Sequence, residues 1–430
     1  MVAAILFISF AVLLLMGAPI AVCLGTSSVV AMIAQGSGRP LDTVMSSLPM
    51  IVSASTSKFV LLAIPFFILA GNIMEKAGIS EKLIKLAEAC VGHIRGGLAI
   101  VCVIVACFFA AISGSGPATV AALGVIIVPA MIKSGYKPAF SAALMAAAGA
   151  IGVIIPPSIT FVVYGSIADT SIGDLFIAGL VPGLLMGFAL MVVALLVGRK
   201  SDLKTLPKAS RKERWLAFKD AFWGLMMPVI ILGGIYGGIF TPTEAAAVSV
   251  IYSLIIGLFV HKELNFKQML DVTKRSCETT ATILVVIGCA TGFSKVLTLG
   301  RIPTTVATLL TTMTDSKVLI LLLINLLLLL VGCFMETVCA IMILAPILFP
   351  VVTALGVDPI HFGIIMVTNL AIGFITPPLG VNLFVASRVG ETTLDVVIRG
   401  IVPFLVLMIA TLMLITYVPA ISMFLPNLLG

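Results

Sequence analysis

Charged side chains are scarce in this sequence: Asp, Glu, Lys and Arg make up 10% of its 430 residues. Soluble domains carry about 25%. With 61% hydrophobic residues and a mean hydropathy of +1.27, most of the surface must face lipid rather than water. Histidine is scarce too, and His93, His261 and His361 stand far apart at the ends of apolar runs. No HExxH, GxSxG or buried Asp/His pair accompanies them, so hydrolytic and metalloenzyme readings have no support. A Walker A motif is missing, which excludes ATP hydrolysis by this chain. The eight cysteines show no CxxC spacing. Residues such as Cys102, Cys107, Cys289 and Cys333 sit singly in apolar runs and read as packing residues. Alternating short strands are absent, which excludes a β-barrel. The net charge of +7 does not indicate a nucleic-acid partner, because eight of the 25 Lys/Arg lie between Arg199 and Lys219. That stretch, 199–219, reads as a cytoplasmic loop by the positive-inside rule. The N-terminus lacks the basic start of a signal peptide and reads as a first membrane helix.

What is present is a duplication. Ala150-Ile151-Gly152-Val153-Ile154-Ile155-Pro156-Pro157 recurs 221 residues later as Ala371-Ile372-Gly373-Phe374-Ile375-Thr376-Pro377-Pro378. At the same offset Pro129 matches Pro350, Pro138 matches Pro359, Ser166 matches Ser387 and Pro182 matches Pro403. Paired apolar segments broken by Gly and Pro point to the binding site of a transporter. Apolar spans are expected near 2–16, 18–35, 58–75, 137–169, 172–198, 221–240, 243–260, 278–295, 359–388 and 394–424, at about 20 residues per crossing. Two longer runs, 96–133 and 318–354, are interrupted near Ser113–Pro117 and Gly332–Thr337. Each reads as a re-entrant hairpin with its tip near mid-membrane.

Charge then distinguishes the two copies. Arg95, Lys133 and Lys137 flank the first hairpin, whereas Ala354 and Asp358 match the last two of these in the second. The turn at Asp169 has no Lys or Arg, and its counterpart carries Arg388 and Arg399. Lys317 is the exception. The pattern predicts repeats of inverted orientation, with hairpin 1 entering from the cytoplasm and hairpin 2 from outside. Ser80–Arg95 is amphipathic, with Leu83, Ile84 and Ala87 on one face, and is expected to lie along the membrane interface. Arg301–Asp315 occupies the matching place.

The expected organisation is therefore an all-α polytopic membrane protein with two re-entrant helical hairpins and two broken transmembrane helices. N-terminal scaffold helices fill 1–57, repeat 1 fills 58–183, connecting segments fill 184–277, and repeat 2 fills 278–430. Pro156 and Pro157 cannot donate to the preceding turn, and broken backbone at that depth must be buried or line a cavity. Free carbonyls with Ser hydroxyls suit a small cation, and half-helix N-termini suit an anion. Tip 1 is expected to face break 1, and tip 2 to face break 2. Glu336, alone between Lys317 and Asp358, either meets a cation or holds the second tip through local hydrogen bonds. Ser158, Thr160, Gly380 and Asn382 begin the second half-helices beyond Pro157 and Pro378; these residues, the two prolines included, are candidates to meet a polar substrate, with Thr119 and Thr337 near the tips. A proton relay needs several buried titratable groups, so sodium coupling is favoured over proton coupling.

Ala63-Ile64-Pro65-Phe66-Phe67-Ile68-Leu69-Ala70-Gly71, Gly92-His93-Ile94-Arg95-Gly96-Gly97, Ser113-Gly114-Ser115-Gly116-Pro117-Ala118-Thr119 and Ile154-Ile155-Pro156-Pro157-Ser158 together resemble the large (DctM-type) membrane subunit of TRAP, tripartite ATP-independent periplasmic, transporters. The resemblance covers essentially the whole chain. It implies an elevator-type secondary transporter in the bacterial inner membrane, driven by sodium and carrying organic acids such as C4-dicarboxylates or sialic acids. It also implies two partners, a small four-helix membrane subunit on a separate polypeptide and a periplasmic substrate-binding protein. By the same resemblance, Ser113, Gly114 and Ser115 with Gly152 and Pro156 would hold one sodium ion. Gly332, Glu336 and Thr337 with Gly373 and Thr376 would hold another, and no organic cofactor is implied. Two other classes remain open at this stage, a stand-alone ion-coupled anion symporter and a channel.

Overall fold

The computed structural model describes residues 2–35, 41–199, 203, 205–314 and 316–429. Among them there are twenty α-helices and no strand. The N-terminal part comprises α1 (Val2–Leu15), α2 (Ile20–Gln35), α3 (Leu41–Thr56), α4 (Ala63–Lys76) and α5 (Ile79–Val91). Repeat 1 continues with α6 (Gly97–Ser113), α7 (Gly116–Lys133), α8 (Pro138–Ala150), α9 (Ile159–Ala168) and α10 (Ile172–Arg199). The connecting helices are α11 (Arg211–Tyr236) and α12 (Pro242–Ile255), followed by α13 (Phe266–Leu299) and α14 (Ile302–Met313). Repeat 2 closes the chain with α15 (Lys317–Phe334), α16 (Thr337–Ala354), α17 (Pro359–Gly373), α18 (Val381–Val389), α19 (Leu394–Tyr417) and α20 (Ala420–Leu429). Nine helices among the described residues are long and apolar enough to cross a membrane. This is a multi-pass membrane protein.

The element order repeats with the sequence. The pair α6–α7 and the broken helix α8–α9 precede α10, just as α15–α16 and α17–α18 precede α19. Pro156–Pro157 and Pro377–Pro378 are both cis peptide bonds. The repeats interlock rather than sit side by side: α9 packs on α16 of the other copy, and α18 packs on α7 and α8. Polar contacts tie the exchange. The Tyr164 hydroxyl donates to the Pro359 carbonyl at 2.8 Å, and Nδ2 of the Asn382 side chain donates to Ala146 O at 3.0 Å. In a bundle whose lipid-facing surface gains nothing from hydrophobic association, such interhelical bonds and close packing hold the pieces together.

Several boundaries differ from the sequence expectation. The basic stretch is not a loop throughout. Ser210 caps α11, accepting from the Glu213 amide while Glu213 accepts from the Ser210 amide, and this reciprocal box starts the helix ten residues before its apolar part. Arg211–Lys219 are therefore helical, while residues 200–202 and 204 lie outside the described set. A similar box at Asn265 and Gln268 starts α13 early. Its first turns are polar and carry the i,i+4 pairs Asp271–Arg275 and Lys274–Glu278. The segment Leu41–Thr56 forms α3, which was not expected from its Ser/Thr-rich sequence. It lies against α13, where Gly288 and Gly292 admit Val52 and Leu48.

The amphipathic segment is α5, which ends at Val91 with Gly92 as its C-cap rather than running to Arg95. Its apolar face is covered by α6 and α11 instead of lipid, leaving Leu83, Ile84 and Ala87 buried. The matching segment is α14; Asp315 lies outside the described residues. The hairpin arms are 17 or 18 residues long, or about 26 Å at 1.5 Å per residue.

Candidate functional site

Tip 1 is built by glycine and a polar knot. Gly114 caps α6 in the left-handed region (φ 61°), and Ser115 follows in extended conformation as the N-cap of α7, with no side-chain cap bond. Only glycine enters that first conformation without penalty. The Ser115 carbonyl then accepts three hydrogen bonds, from the Thr119 amide at 3.1 Å, the Thr119 hydroxyl at 2.8 Å and the Ser113 hydroxyl at 3.1 Å. Ser113 Oγ and Thr119 Oγ1 are 3.2 Å apart. Three oxygens from the tip thus converge.

Break 1 lies against this knot. A Cβ at Gly152 would stand 3.0 Å from Thr119 Oγ1 and 3.1 Å from Ser115 O; one at Gly114 would stand 3.1 Å from Pro157 O. The prolines explain the local chemistry. Val153 O has lost its helical donor because residue 157 is proline. The hydroxyls of Ser158 and Thr160 replace it, at 2.6 and 3.1 Å. Both side chains are buried, so Ser158 and Thr160 first serve the backbone. Pro156 and Pro157 are buried behind them.

Tip 2 solves the same problem with a carboxylate. Met335 and Glu336 are extended, and Glu336 is the N-cap of α16, as its match Ser115 is of α7. Glu336 Oε2 accepts from the amides of Val338 at 3.0 Å and Cys339 at 3.3 Å. The brace role left open by the sequence is thereby occupied. The Thr337 hydroxyl is buried without a partner. At break 2 the donor to Phe374 O is the Asn382 amide at 3.0 Å, and the Thr376 amide donates to Gly373 O at 3.1 Å. Leu379 and Val381 stand where Ser158 and Thr160 stand in repeat 1, so backbone amides replace the hydroxyls. The Thr376 hydroxyl returns to Ile372 O at 2.8 Å. The contact between tip arm and break has shifted by one turn. Gly373 meets Gly332, which matches Ala111 rather than the tip, and a Cβ at Gly373 would overlap the Cα, C and O of Gly332.

Both tips and both breaks border one cavity of about 840 Å³. Of the residues singled out in the sequence, Ser113, Gly114, Ser115, Thr160 and Glu336 line it. Thr119 and Gly152 stand directly behind Ser115. Gly332 and Gly373 form the second arm–break contact; neither they nor Thr337, Thr376, Pro378 and Gly380 line the cavity. Asn382 is fully buried, wedged toward Gly116 and Gly149, and its Oδ1 has no partner.

The starts of α7, α9, α16 and α18 all contribute to the wall, whereas no Lys, Arg or His among the described residues does. Further polar lining comes from α4 and α13 and was missed in the sequence: Asn72 and Glu75 on α4, and Thr279 and Thr282 on α13. Asn72 donates to Ser276 Oγ at 2.8 Å, joining these two helices. The polar run Ser276, Thr279, Thr282 at helical spacing was the available signal. Gly71, in the same apolar motif of α4, lets hairpin 1 pass close, since a Cβ there would stand 2.9 Å from Ile112 O.

Similar proteins share this arrangement or this sequence. Two solved transporters have the same fold at low identity. The YdaH transporter of Alcanivorax borkumensis superposes with a TM-score of 0.63 at 17% identity, covering 91% of this chain and 90% of that one. MtrF of Neisseria gonorrhoeae, described among antimetabolite efflux pumps, gives 0.62 at 13% identity, covering 91% and 85%. Sequence relatives are much closer. The isethionate TRAP transporter permease protein DctMQ of Oleidesulfovibrio alaskensis is 49% identical over 98% of this chain, which spans 66% of that protein's length. The C4-dicarboxylate large permease protein DctM of Pseudomonas aeruginosa is 49% identical over 87% of this chain and 88% of its own. The sialic acid large permease protein SiaM of Vibrio cholerae is 42% identical over 86% and 87%. These relatives bear the names of transporter permeases, not of enzymes. A family model described as the DctM component of tripartite ATP-independent periplasmic transporters matches residues 7–421; the chain belongs to that family and is a multi-pass inner-membrane protein.

Proposed function

We propose that the protein imports an organic anion across the inner membrane, driven by sodium and moved by an elevator motion of its hairpins and broken helices. The observation that carries this reading is the cavity at which both tips, both breaks, α4 and α13 meet without a Lys or Arg among the described residues. An anion there must rely on helix N-termini, each worth about +0.5 charge. Glu336 already occupies the amides of α16. The starts of α7, α9 and α18 then offer roughly +1.5 charges in partial form, while Glu75 and Glu336 oppose an anion. One acidic group is matched by this arrangement; more requires accompanying cations.

Sodium fits the first tip. Ser113 Oγ, Ser115 O and Thr119 Oγ1 lie 2.8–3.2 Å from one another. Their hydroxyl protons can rotate away and leave a cluster of hard oxygens. Gly152 behind Ser115 keeps the cluster tight. At the second tip, Thr337, next to Glu336 in the chain, supplies a buried hydroxyl without a partner. The elevator reading is supported by Gly71, where hairpin 1 meets α4 across a contact free of side chain. The basic stretch 199–219 would be cytoplasmic, the repeats inverted and the hairpins re-entrant. Glu75 is followed by Lys76, and Thr279 lies four residues after Arg275, which supports a cavity open toward the cytoplasm.

Relatives named for isethionate, C4-dicarboxylate and sialic acid support a small organic acid as the substrate class. Family membership supports two partners, a small membrane subunit and a periplasmic binding protein that delivers the acid. Reconstitution tests this. Liposomes containing this chain with its small subunit should take up the acid only with an inward sodium gradient and the loaded binding protein. Uptake by this chain alone would instead support a stand-alone symporter, and flux without sodium a channel.

A further inference from the structure

The base of α11 carries a feature that transport leaves unexplained. From Lys208 to Lys219 there are five cations and one acid. The acid, Glu213, is turned back onto the Ser210 amide at 2.6 Å and so does not neutralise its neighbours. The ion pairs among the described residues lie elsewhere, at Lys82–Glu263, Lys274–Glu278 and Arg275–Asp271. Arg214 has a buried Nε–H with no acceptor. Beside these cations runs an aromatic ladder. Trp215 stacks on Phe218 (5.7 Å, 19°), Phe218 meets Phe222 (6.0 Å), and Phe222 meets Trp223 (5.5 Å). Lys219 lies 5.7 Å over the Trp215 ring. Trp215 is 57% exposed and Leu216 50%.

Exposed indole rings next to Lys and Arg at the base of a spanning helix match the depth profile of a bilayer surface. Rings sit at the headgroup level, stems extend along the acyl chains, and cations meet phosphate. We propose that the first three turns of α11 form a binding site for the headgroup of anionic phospholipid in the cytoplasmic leaflet. The surplus of unpaired cations selects the charge, and the rings set the depth. The site is also wired into the fold. The Leu206 amide donates to Gly92 O at 3.1 Å, and Gly224 of α11 seats the Ile79 side chain of α5. A lipid held here steadies both α11 and α5. Only the choice of leaflet rests on the topology proposed above.

The chain's two tryptophans, Trp215 and Trp223, are both in this helix, so intrinsic fluorescence reads the site directly. The test uses the full chain as Trp223→Phe in nanodiscs containing brominated phosphatidylglycerol or brominated phosphatidylcholine at equal fraction. Brominated phosphatidylglycerol should show an apparent preference at Trp215 of about fivefold or more, lost in raised salt. Adding Arg211→Gln, Lys212→Gln and Lys219→Gln should bring the two lipids close to parity. Equal quenching by the two lipids in the parent protein overturns the proposal without requiring the neutralised variant to fold. A preference unchanged by neutralisation overturns it too, as does competition by inorganic phosphate, which would assign the site to a soluble anion. Symmetric nanodiscs make the result independent of topology.

Discussion

Gly373→Ala is expected to abolish sodium-driven uptake while the protein still inserts in the membrane. The new methyl group would overlap backbone atoms of Gly332, and backbone cannot rotate aside as a side-chain end can. Relief requires α15 and α17 to separate at the second tip. Overpacking usually costs about 1–3 kcal/mol, and a contact with no movable atom belongs at the upper end. Gly332→Ala is expected to be milder, because its Cβ would stand 3.1 Å from Gly373 Cα and 3.4 Å from Leu370. Initial uptake rates normalised to membrane content check the ordering. Equal activity of the Gly373 variant and the parent would show that the arm–break contact is not needed for transport.

Gly152→Val should act differently, by weakening sodium rather than removing transport outright. Its side chain would press on Thr119 Oγ1 and Ser115 O, the oxygens of the first tip. A cost of about 1–3 kcal/mol spread over that cluster raises the sodium concentration for half-maximal uptake by about fivefold to more than a hundredfold. Thr119→Ala removes one of the three oxygens and should shift the same quantity. Ser115→Ala should be gentler, because the oxygen that Ser115 brings to the cluster belongs to its main chain. Uptake measured across a sodium series, at fixed substrate, distinguishes these outcomes. A Gly152 variant with an unaltered sodium curve would remove break 1 from the ion site.

Much of this arrangement is legible in the chain before any coordinates. The 221-residue offset locates both breaks, and the interrupted apolar runs locate both tips, because Gly and Pro act on the backbone locally. What the sequence hides is non-local. Asn72 and Glu75 face the tips only because α4 packs beside hairpin 1; nothing in their immediate neighbours announces it. Ser158 and Thr160 look like substrate groups in isolation, yet Pro157 leaves Val153 O without a donor and their hydroxyls serve it. The repeat itself misleads at Gly332. The sequences align tip to tip, but the close contact at break 2 falls one turn earlier in the arm, where Gly meets Gly. The helix α3 and the early start of α11 were missed for a common reason. Hydropathy finds lipid-facing spans, whereas Ser/Thr-rich or charged helices are set by caps and packing.

The central claim is that each tip–break pair holds a sodium ion. Equilibrium binding of radioactive sodium to the purified chain tests it most directly. The account predicts saturable binding, weakened selectively at one component by Gly152→Val and at the other by Gly373→Ala. Saturable sodium binding that is identical in the parent and both variants would contradict it.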